Sequence, residues 1–505
     1  MILTLEIITW IVFVFCLFLF STYLILAYIS YKAMRVYFTK NSFSNYNTIL
    51  NSPLAPPLSI ISPAHNESKS IVDNVRTQLA LHYNTYEVIL VNDGSTDDTM
   101  EKLIANFHLE KRDIKIPQHL PTKEVLGVYK STNPAYQKLT VIDKVNGGKA
   151  DALNVGVNAT AYNYLTCIDV DCVLEQEALL RMIKPFLERT DKKRVIAAGG
   201  VIRIANGCVI ENGKLVKVEV PKGFLPRVQV LEYIRAFLLG RMAWSRLDGL
   251  LLISGAFGLF DKEILVKCGG YTLKTVSEDM ELVVRMRRYM HDNKLPYEAT
   301  YIPDPLCWTE VPESYKILGN QRSRWSRGCA ETLWIHKGIF LNPRYRKLGL
   351  LSYPYWFIAE FLAPIIETVG VVFTIILGYL NIINWNFFFL LLLFVYTFAV
   401  MFSILAIMAE EETFHEYKKM SDYFKLMYAV LLEPAFFHPF ITFSAIRGYV
   451  SLFFGEKSWG KMTRKGFTDK TREGKEEKEE KERKEKRQKE ESALAKGIAE
   501  KPATA

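Results

Sequence analysis

The chain has no GxxxxGKS/T loop, which excludes the phosphate-gripping loop of nucleoside-triphosphate hydrolases. Its 7 cysteines form no CxxC pair and no Cys/His group at metal-ligand spacing. Neither a disulfide framework nor a zinc site is therefore expected, and the cysteines read as reduced, mostly buried thiols. Charge is missing altogether between Ile7 and Tyr31, a run of about 25 residues that can cross a bilayer with some tilt. A cleaved signal peptide fits that run poorly: Glu6 rather than a basic residue precedes it, and it is long for such a segment. Lys32, Arg35 and Lys40 follow it, which by the positive-inside rule puts the next residues in the cytoplasm. The net charge of +9 over 505 residues does not single out nucleic acid, because it includes lysines and arginines that flank apolar segments.

What is present is sharply segregated. A second apolar zone runs from Leu348 to Ala409 and breaks at Asn381, Asn384 and Asn386, where a polar turn joins two candidate spans. A third runs from Tyr423 to Gly455, interrupted by Glu433–Pro434 and His438–Pro439. It reads either as one kinked span or as a pair of short re-entrant helices. The basic segment Lys457–Lys465 favours the version that keeps it inside. The expected layout is a transmembrane helix (1–32), a linker (33–57), an α/β domain (58–310), interfacial helices (311–347), transmembrane or re-entrant helices (348–455) and a charged tail (456–505). The tail mixes lysine and glutamate from Lys475 to Glu491; it reads as solvated and low in complexity, the obvious place for an accessory subunit to bind.

In the middle domain strands alternate with helices. LSIIS (Leu58–Ser62), EVILV (Glu87–Val91), LTVID (Leu139–Asp143), YLTCIDVD (Tyr164–Asp171) and VIAAGG (Val195–Gly200) are the predicted strands. Repeated strand–helix units predict an α/β fold with a mostly parallel sheet, whose ligands sit beyond the carboxyl ends of the strands. That rule selects Asn66 and Glu67, Asp93, Lys149, and Asp169 with Asp171. So many strand-end acids repel one another unless a cation joins them. Carboxylates are hard ligands suited to Mg²⁺ or Mn²⁺, so the cluster points to a metal-bridged nucleotide diphosphate. On an extended chain Asp169 and Asp171 would point to the same side. An ordinary acidic loop is the plain alternative, and Glu278–Asp279 taken alone reads as acids opening the helix EDMELVVRMRR.

The motifs also fall in one order: PAHNE (Pro63–Glu67), VNDGSTDD (Val91–Asp98), GGKADALN (Gly147–Asn154), DVD (Asp169–Asp171), SGAFGLF (Ser254–Phe260), SED (Ser277–Asp279) and QRSRW (Gln321–Trp325). This ordered set resembles the processive, membrane-integrated glycosyltransferases of family 2, which include cellulose, hyaluronan, chitin and poly-N-acetylglucosamine synthases. The resemblance implies a GT-A type nucleotide-diphospho-sugar transferase domain. It implies that Asp93 meets the uracil or ribose of a UDP-sugar, that Pro63–Glu67 with Glu67 lines that pocket, and that Lys149 and Asp151 bind the donor. Asp169 and Asp171 would hold the diphosphate and its metal, with Asp171 the direct ligand. Asp279, beside Glu278, would be the catalytic base. Ser277 stands where many relatives have threonine, and Asn92 where many have aspartate. No FxVTxK-like motif is present, which argues against cellulose as the product.

On a helix Gln321, Arg324 and Trp325 share one face, suited to a diphosphate and a sugar ring, while Arg322 and Arg327 point elsewhere and would be free to meet lipid headgroups. NDGSTDD doubles as a helix start, with Ser95 and Asp98 at capping-box spacing. Glu360 and Glu367 lie in an apolar run, where they either line a polar channel for a growing glycan or pair within the helix bundle. The leading expectation is a β-linked polysaccharide synthase of the inner membrane with a cytoplasmic catalytic domain and an N-acetylglucosamine polymer as its product. A lipid glycosyltransferase and a non-enzymatic binder of nucleic acid or acidic lipid are the competing readings. The spaced aspartates speak against the last, so no nucleic-acid partner is expected.

Overall fold

The computed structural model describes residues 2–42, 45–188, 193–211 and 214–454. The charged tail (456–505) and the basic segment Lys457–Lys465 lie outside them. The five predicted strands are all present: β1 (Leu58–Ala64), β2 (Tyr86–Asp93), β5 (Leu139–Lys144), β6 (Tyr164–Ile168) and β8 (Arg194–Ile204). Seven more join them: β3 (Leu109–Arg112), β4 (Val125–Ser131), β7 (Val173–Leu174), β9 (Val209–Glu211), β10 (Lys214–Lys217), β11 (Phe257–Asp261) and β12 (Tyr297–Thr309). Ten form one sheet in the order β3-β4-β5-β2-β1-β6-β11-β8-β12-β7, and β9–β10 form a separate hairpin.

The centre of the sheet is parallel, as predicted: β5, β2, β1 and β6 run together. Both faces are covered, so β1 and β2 are buried nearly end to end, as continuous apolar runs in a two-sided sheet should be. The register aligns Ala64 with Asn92 and Asp93 with Lys144, which brings the strand ends into one row. The sheet's edges carry antiparallel pairs, and the parallel order is also broken beside β6. β11 inserts antiparallel between β6 and β8, with Phe257 opposite Ile168. The chain just before β11, Ser254–Ala256, therefore arrives at the same edge as the residues just after β6.

Among the described residues, four helical segments are long and apolar enough to cross a membrane: Trp10–Asn41, Leu348–Tyr379, Trp385–Thr413 and Met420–Phe454. The first packs on the third through stacked rings, Phe20 on Phe398 at 3.8 Å and Tyr23 on Phe402 at 5.5 Å. Both meet the sheet domain at their carboxyl ends: Lys40 lies 2.6 Å from Glu188, Tyr37 bonds Asp304, and Arg203 of β8 pairs with Glu410. Leu348–Tyr379 thus runs away from the domain, and the chain turns back at Asn381–Asn384, where the polar break was expected.

The fourth segment is the one expected either as one kinked span or as a pair of short re-entrant helices. It is one continuous helical run with a widened turn at Glu433–Phe437, beside Pro434 and Pro439. Lys419, at its start, pairs with Glu219 of the sheet domain, and near its end Gly448 abuts the backbone of Ser323 in the helix Tyr315–Ile335. Arg447 donates to Asn320 at 2.8 Å. One end is thus tied to the sheet domain and the other to the helix Tyr315–Ile335.

Candidate active site

Two loops meet at the carboxyl ends of β1 and β2. Asn66, with φ +57°, accepts at Oδ1 from the Thr96 amide at 2.7 Å, and its own amide donates to Ser95 Oγ at 3.0 Å. His65 Nδ1 is 2.9 Å from the Asp93 carbonyl. Glu67 opens the helix Ile71–Leu79: its carbonyl accepts from the Ser70 and Ile71 amides, and its amide donates to Thr99 Oγ1 at 3.0 Å. The capping box expected from Ser95 and Asp98 does not form. Ser95 Oγ donates to Asn92 at 2.5 Å, and the Thr99 amide is capped by Asp97 at 3.1 Å.

Asp93 and Asp151 turn into the protein. Asp93 Oδ1 accepts from Lys144 Nζ at 2.5 Å and the Gly147 amide at 2.8 Å, and its Oδ2 accepts from the Gly148 amide at 2.7 Å. Lys144 Nζ also lies 2.7 Å from Asp151 Oδ2, and the side chain of Lys144 has no exposed surface. Gly148 has φ +87°, a conformation side chains disfavour, and this is what lets two successive amides point at one carboxylate. Neither acid borders the main cavity. Both acids hold the glycine loop that leads into Lys149.

Lys149, Asp169, Asp171, Glu278 and Asp279 border a cavity of about 3090 Å³. Asp169 and Asp171 reach it by a route different from the predicted one. β6 ends at Ile168, and the DVD triplet forms a turn closed by the Cys172 amide on the Asp169 carbonyl at 3.0 Å. Lys149 Nζ lies 2.5 Å from Asp169 Oδ1 and 3.4 Å from Glu278 Oε1. Burial alone would lower the Lys149 ammonium, but the two carboxylates outweigh it and hold the group well above its usual value. Burial pushes the Glu278 carboxyl up, against the pull of Lys149.

Ser277 precedes the helix Glu278–Asp292, so the acids do open a helix, and that start also aims Asp279 into the site. Asp279 Oδ2 accepts from the Gly255 amide at 2.9 Å; Oδ1 accepts from Ser277 Oγ at 3.0 Å and from the Met280 amide at 2.8 Å. Three donors thus fix one carboxylate in one orientation. The Gly255 donor is available only because β11 enters beside β6.

Gln321, Arg324 and Trp325 sit on the helix Tyr315–Ile335 and border the same cavity, as their spacing implied. Arg324 acts electrostatically on Glu278. Arg322 and Arg327 overturn the lipid-headgroup expectation. Arg322 is buried against Glu232, and Arg327 Nε donates to Glu331 at 2.7 Å. The cavity continues among the membrane helices past Glu360 to Glu367 and His438. Glu367 accepts from His438 at 3.1 Å and from Thr442 at 2.8 Å, so it is paired and also borders the cavity.

Lys144 and Glu232 escaped the sequence reading. Each leaves one signal: a lysine closing a buried strand, and a lone acid inside the apolar stretch VQVLEYI. Among the described residues no three His, Cys, Asp or Glu side chains converge as a ready-made metal site. Two carboxylates, Asp169 and Asp171, still fit a Mg²⁺ or Mn²⁺ that takes its other ligands from a diphosphate and water.

Residues 56–328 match the family described as "Glycosyltransferase like family 2". A poly-beta-1,6-N-acetyl-D-glucosamine synthase of Staphylococcus epidermidis is 30% identical over 276 residues, 55% of this chain and 55% of that protein. The synthase of the same name from Staphylococcus aureus strain COL is 30% identical over 278 residues, again 55% of each. The chain thus spans about half the length of the curated relatives it matches. Among solved structures, a mannosyltransferase from Pyrobaculum calidifontis in complex with GDP-Man and Mn2+ superposes with a TM-score of 0.47 at 16% identity, over 87% of this chain and 100% of that one.

Proposed function

The chain belongs to glycosyltransferase-like family 2, and from that premise we propose that it is a membrane-bound inverting transferase that extends a β-linked polysaccharide from a UDP-sugar. The observation that carries this reading is the cavity itself. It begins at Lys149 and Asp279, passes Trp325, and continues between the membrane helices to Glu367. A transferase for small soluble acceptors has no use for such a passage; a synthase that exports its product does. N-acetylglucosamine is the proposed sugar, in keeping with the names of the relatives.

The Asp279 carboxylate, held by Gly255, Ser277 and Met280, takes the proton from the acceptor hydroxyl as its oxygen attacks the anomeric carbon. The bond from that carbon to the diphosphate breaks on the opposite side, so an α-linked donor yields a β-linkage. Charge growing on the departing UDP is met by Lys149 and Arg324. A Mg²⁺ or Mn²⁺ held by Asp171 and Asp169 would neutralise diphosphate charge in this site. Lys32, Arg35 and Lys40 lie at the domain end of the first helix, which supports a catalytic side facing the cytoplasm; the inner membrane is the proposed location.

The membrane part of the cavity is also lined by apolar rings such as Phe373, Phe387 and Phe388, which would suit a lipid acceptor. Membranes containing the protein, incubated with single radiolabelled UDP-sugars, separate the two. A labelled high-molecular-weight polymer from UDP-N-acetylglucosamine is expected. A product limited to one sugar on a lipid overturns the polymer reading, and no incorporation from any donor overturns the transferase itself.

A further inference from the structure

Glu232 lies on the helix Phe224–Ile234 and borders the cavity. Its two oxygens accept from both terminal nitrogens of Arg322, Nη1 at 2.7 Å and Nη2 at 2.6 Å. A bidentate pair of this kind fixes the plane of a guanidinium as well as its position. That guanidinium stands over the Trp325 indole, 4.3 Å from the ring. Trp325 is 39% exposed and borders the same cavity. Carboxylate, guanidinium and indole thus form one stack, with the buried guanidinium between the two partly exposed groups.

The two helices that carry the stack are each tied to the membrane segments. Arg235, one turn beyond Glu232, bonds Glu433 and Ser403. The helix Tyr315–Ile335 packs so closely on the segment ending at Phe454 that Gly448 has no room for a side chain beside Ser323.

We propose that Glu232 is a positioning residue for the acceptor: through Arg322 it locks the Trp325 indole as the platform for the terminal acceptor sugar. This rests on the transferase reading above. An indole presents a flat apolar face to the C–H face of a pyranose. Locking the ring beforehand removes the cost of ordering it on binding, and transfer is sensitive to displacements of about 1 Å. A merely structural role for Glu232, neutralising a buried arginine, would disturb the whole site alike. A positioning role is selective for the acceptor.

The test uses the full chain in detergent with Mg²⁺, UDP-N-acetylglucosamine as donor and a β-1,6-linked N-acetylglucosamine pentamer as acceptor. In Glu232→Gln the apparent KM for the pentamer is expected to rise about tenfold. The KM for donor and the calorimetric affinity for UDP should stay within about twofold, since Glu232 is not among the groups that face the diphosphate. The conservative Glu232→Asp should recover part of the loss. In a Trp325→Ala background, Glu232→Gln should add no further loss, because the two act through one ring. An unchanged pentamer KM, additive losses with Trp325→Ala, or loss of UDP binding together with acceptor binding would each overturn the proposal. Failure of the wild-type protein to transfer sugar at all would instead remove the transferase reading on which it stands.

Discussion

At the carboxyl end of β2, Asp93 meets Lys144 and two backbone amides inside the protein; at the carboxyl end of β6, Asp169 meets Lys149 on the cavity wall. Both are lysine–aspartate pairs at 2.5 Å, and both sit where a sheet of this kind presents its ligand site. Their surroundings differ. The first pair is sealed, with side-chain exposures of 0% and 5%; the second is open, at 20% and 27%. A sealed pair has lost its water and depends on its partners, so it is expected to contribute shape by holding the glycine loop. An open pair can exchange its partner, so it is the one expected to contribute chemistry. Position at a strand end therefore selects residues that matter but does not say which of the two tasks each performs.

The largest expected effect lies on the open side. Asp279→Asn should lower sugar transfer by about 10²–10⁴-fold while UDP binding survives, read by steady-state transfer and calorimetry; retained turnover would remove Asp279 as the base. Next comes the direct contrast between the two lysines. Lys144→Met leaves Asp93 and Asp151 buried without their cation and should cost about 3–5 kcal/mol in denaturant unfolding. Lys149→Met should cost about 1 kcal/mol or less, because its pair is partly solvated, and should instead weaken UDP binding. Equal stability losses would erase the distinction between sealed and open sites.

The smallest effect lies farther out, where Lys419 ties the segment after the third membrane helix to the sheet domain. The Lys217 and Lys419 ammonium groups bond the Glu219 carboxyl and hold it at about 2, below its ordinary value of 4.5. A carboxyl depressed on folding adds stability above its ordinary value and loses it as pH falls through the folded one. Amide exchange in residues 414–419 should therefore be steady near neutrality and quicken below about pH 4, with a small amplitude because the side chains are exposed. A flat profile down to about pH 2 would show that this tie carries no stability.

Much of the site was legible. QRSRW lies on a helix with Gln321, Arg324 and Trp325 on the cavity, because period 3.6 is written into the chain. The five central strands and the turn at Asn381–Asn384 were readable for the same local reason: apolar runs bounded by polar breaks. Arg322 was not. Nothing within its own helix announces Glu232, which is 90 residues away in sequence. The DVD turn was misread as extended because strand alternation was carried past Ile168, where the ladder ends.

Local pattern and composition by themselves determined the α/β core, the apolar segments and the list of chemically capable side chains, since each depends on periodicity within a few residues. Tertiary structure decided how the remaining side chains are partnered around the cavity. The insertion of β11 between β6 and β8 brings the Gly255 amide to Asp279. Lys144 closes over Asp93 and Asp151, Glu232 claims Arg322, and Glu219 and Ser323 hold the two ends of the last apolar segment to the sheet domain and to the helix Tyr315–Ile335. These are pairings between distant residues. Their free energy comes from mutual desolvation and complementary charge, quantities that exist only once the chain has closed on itself.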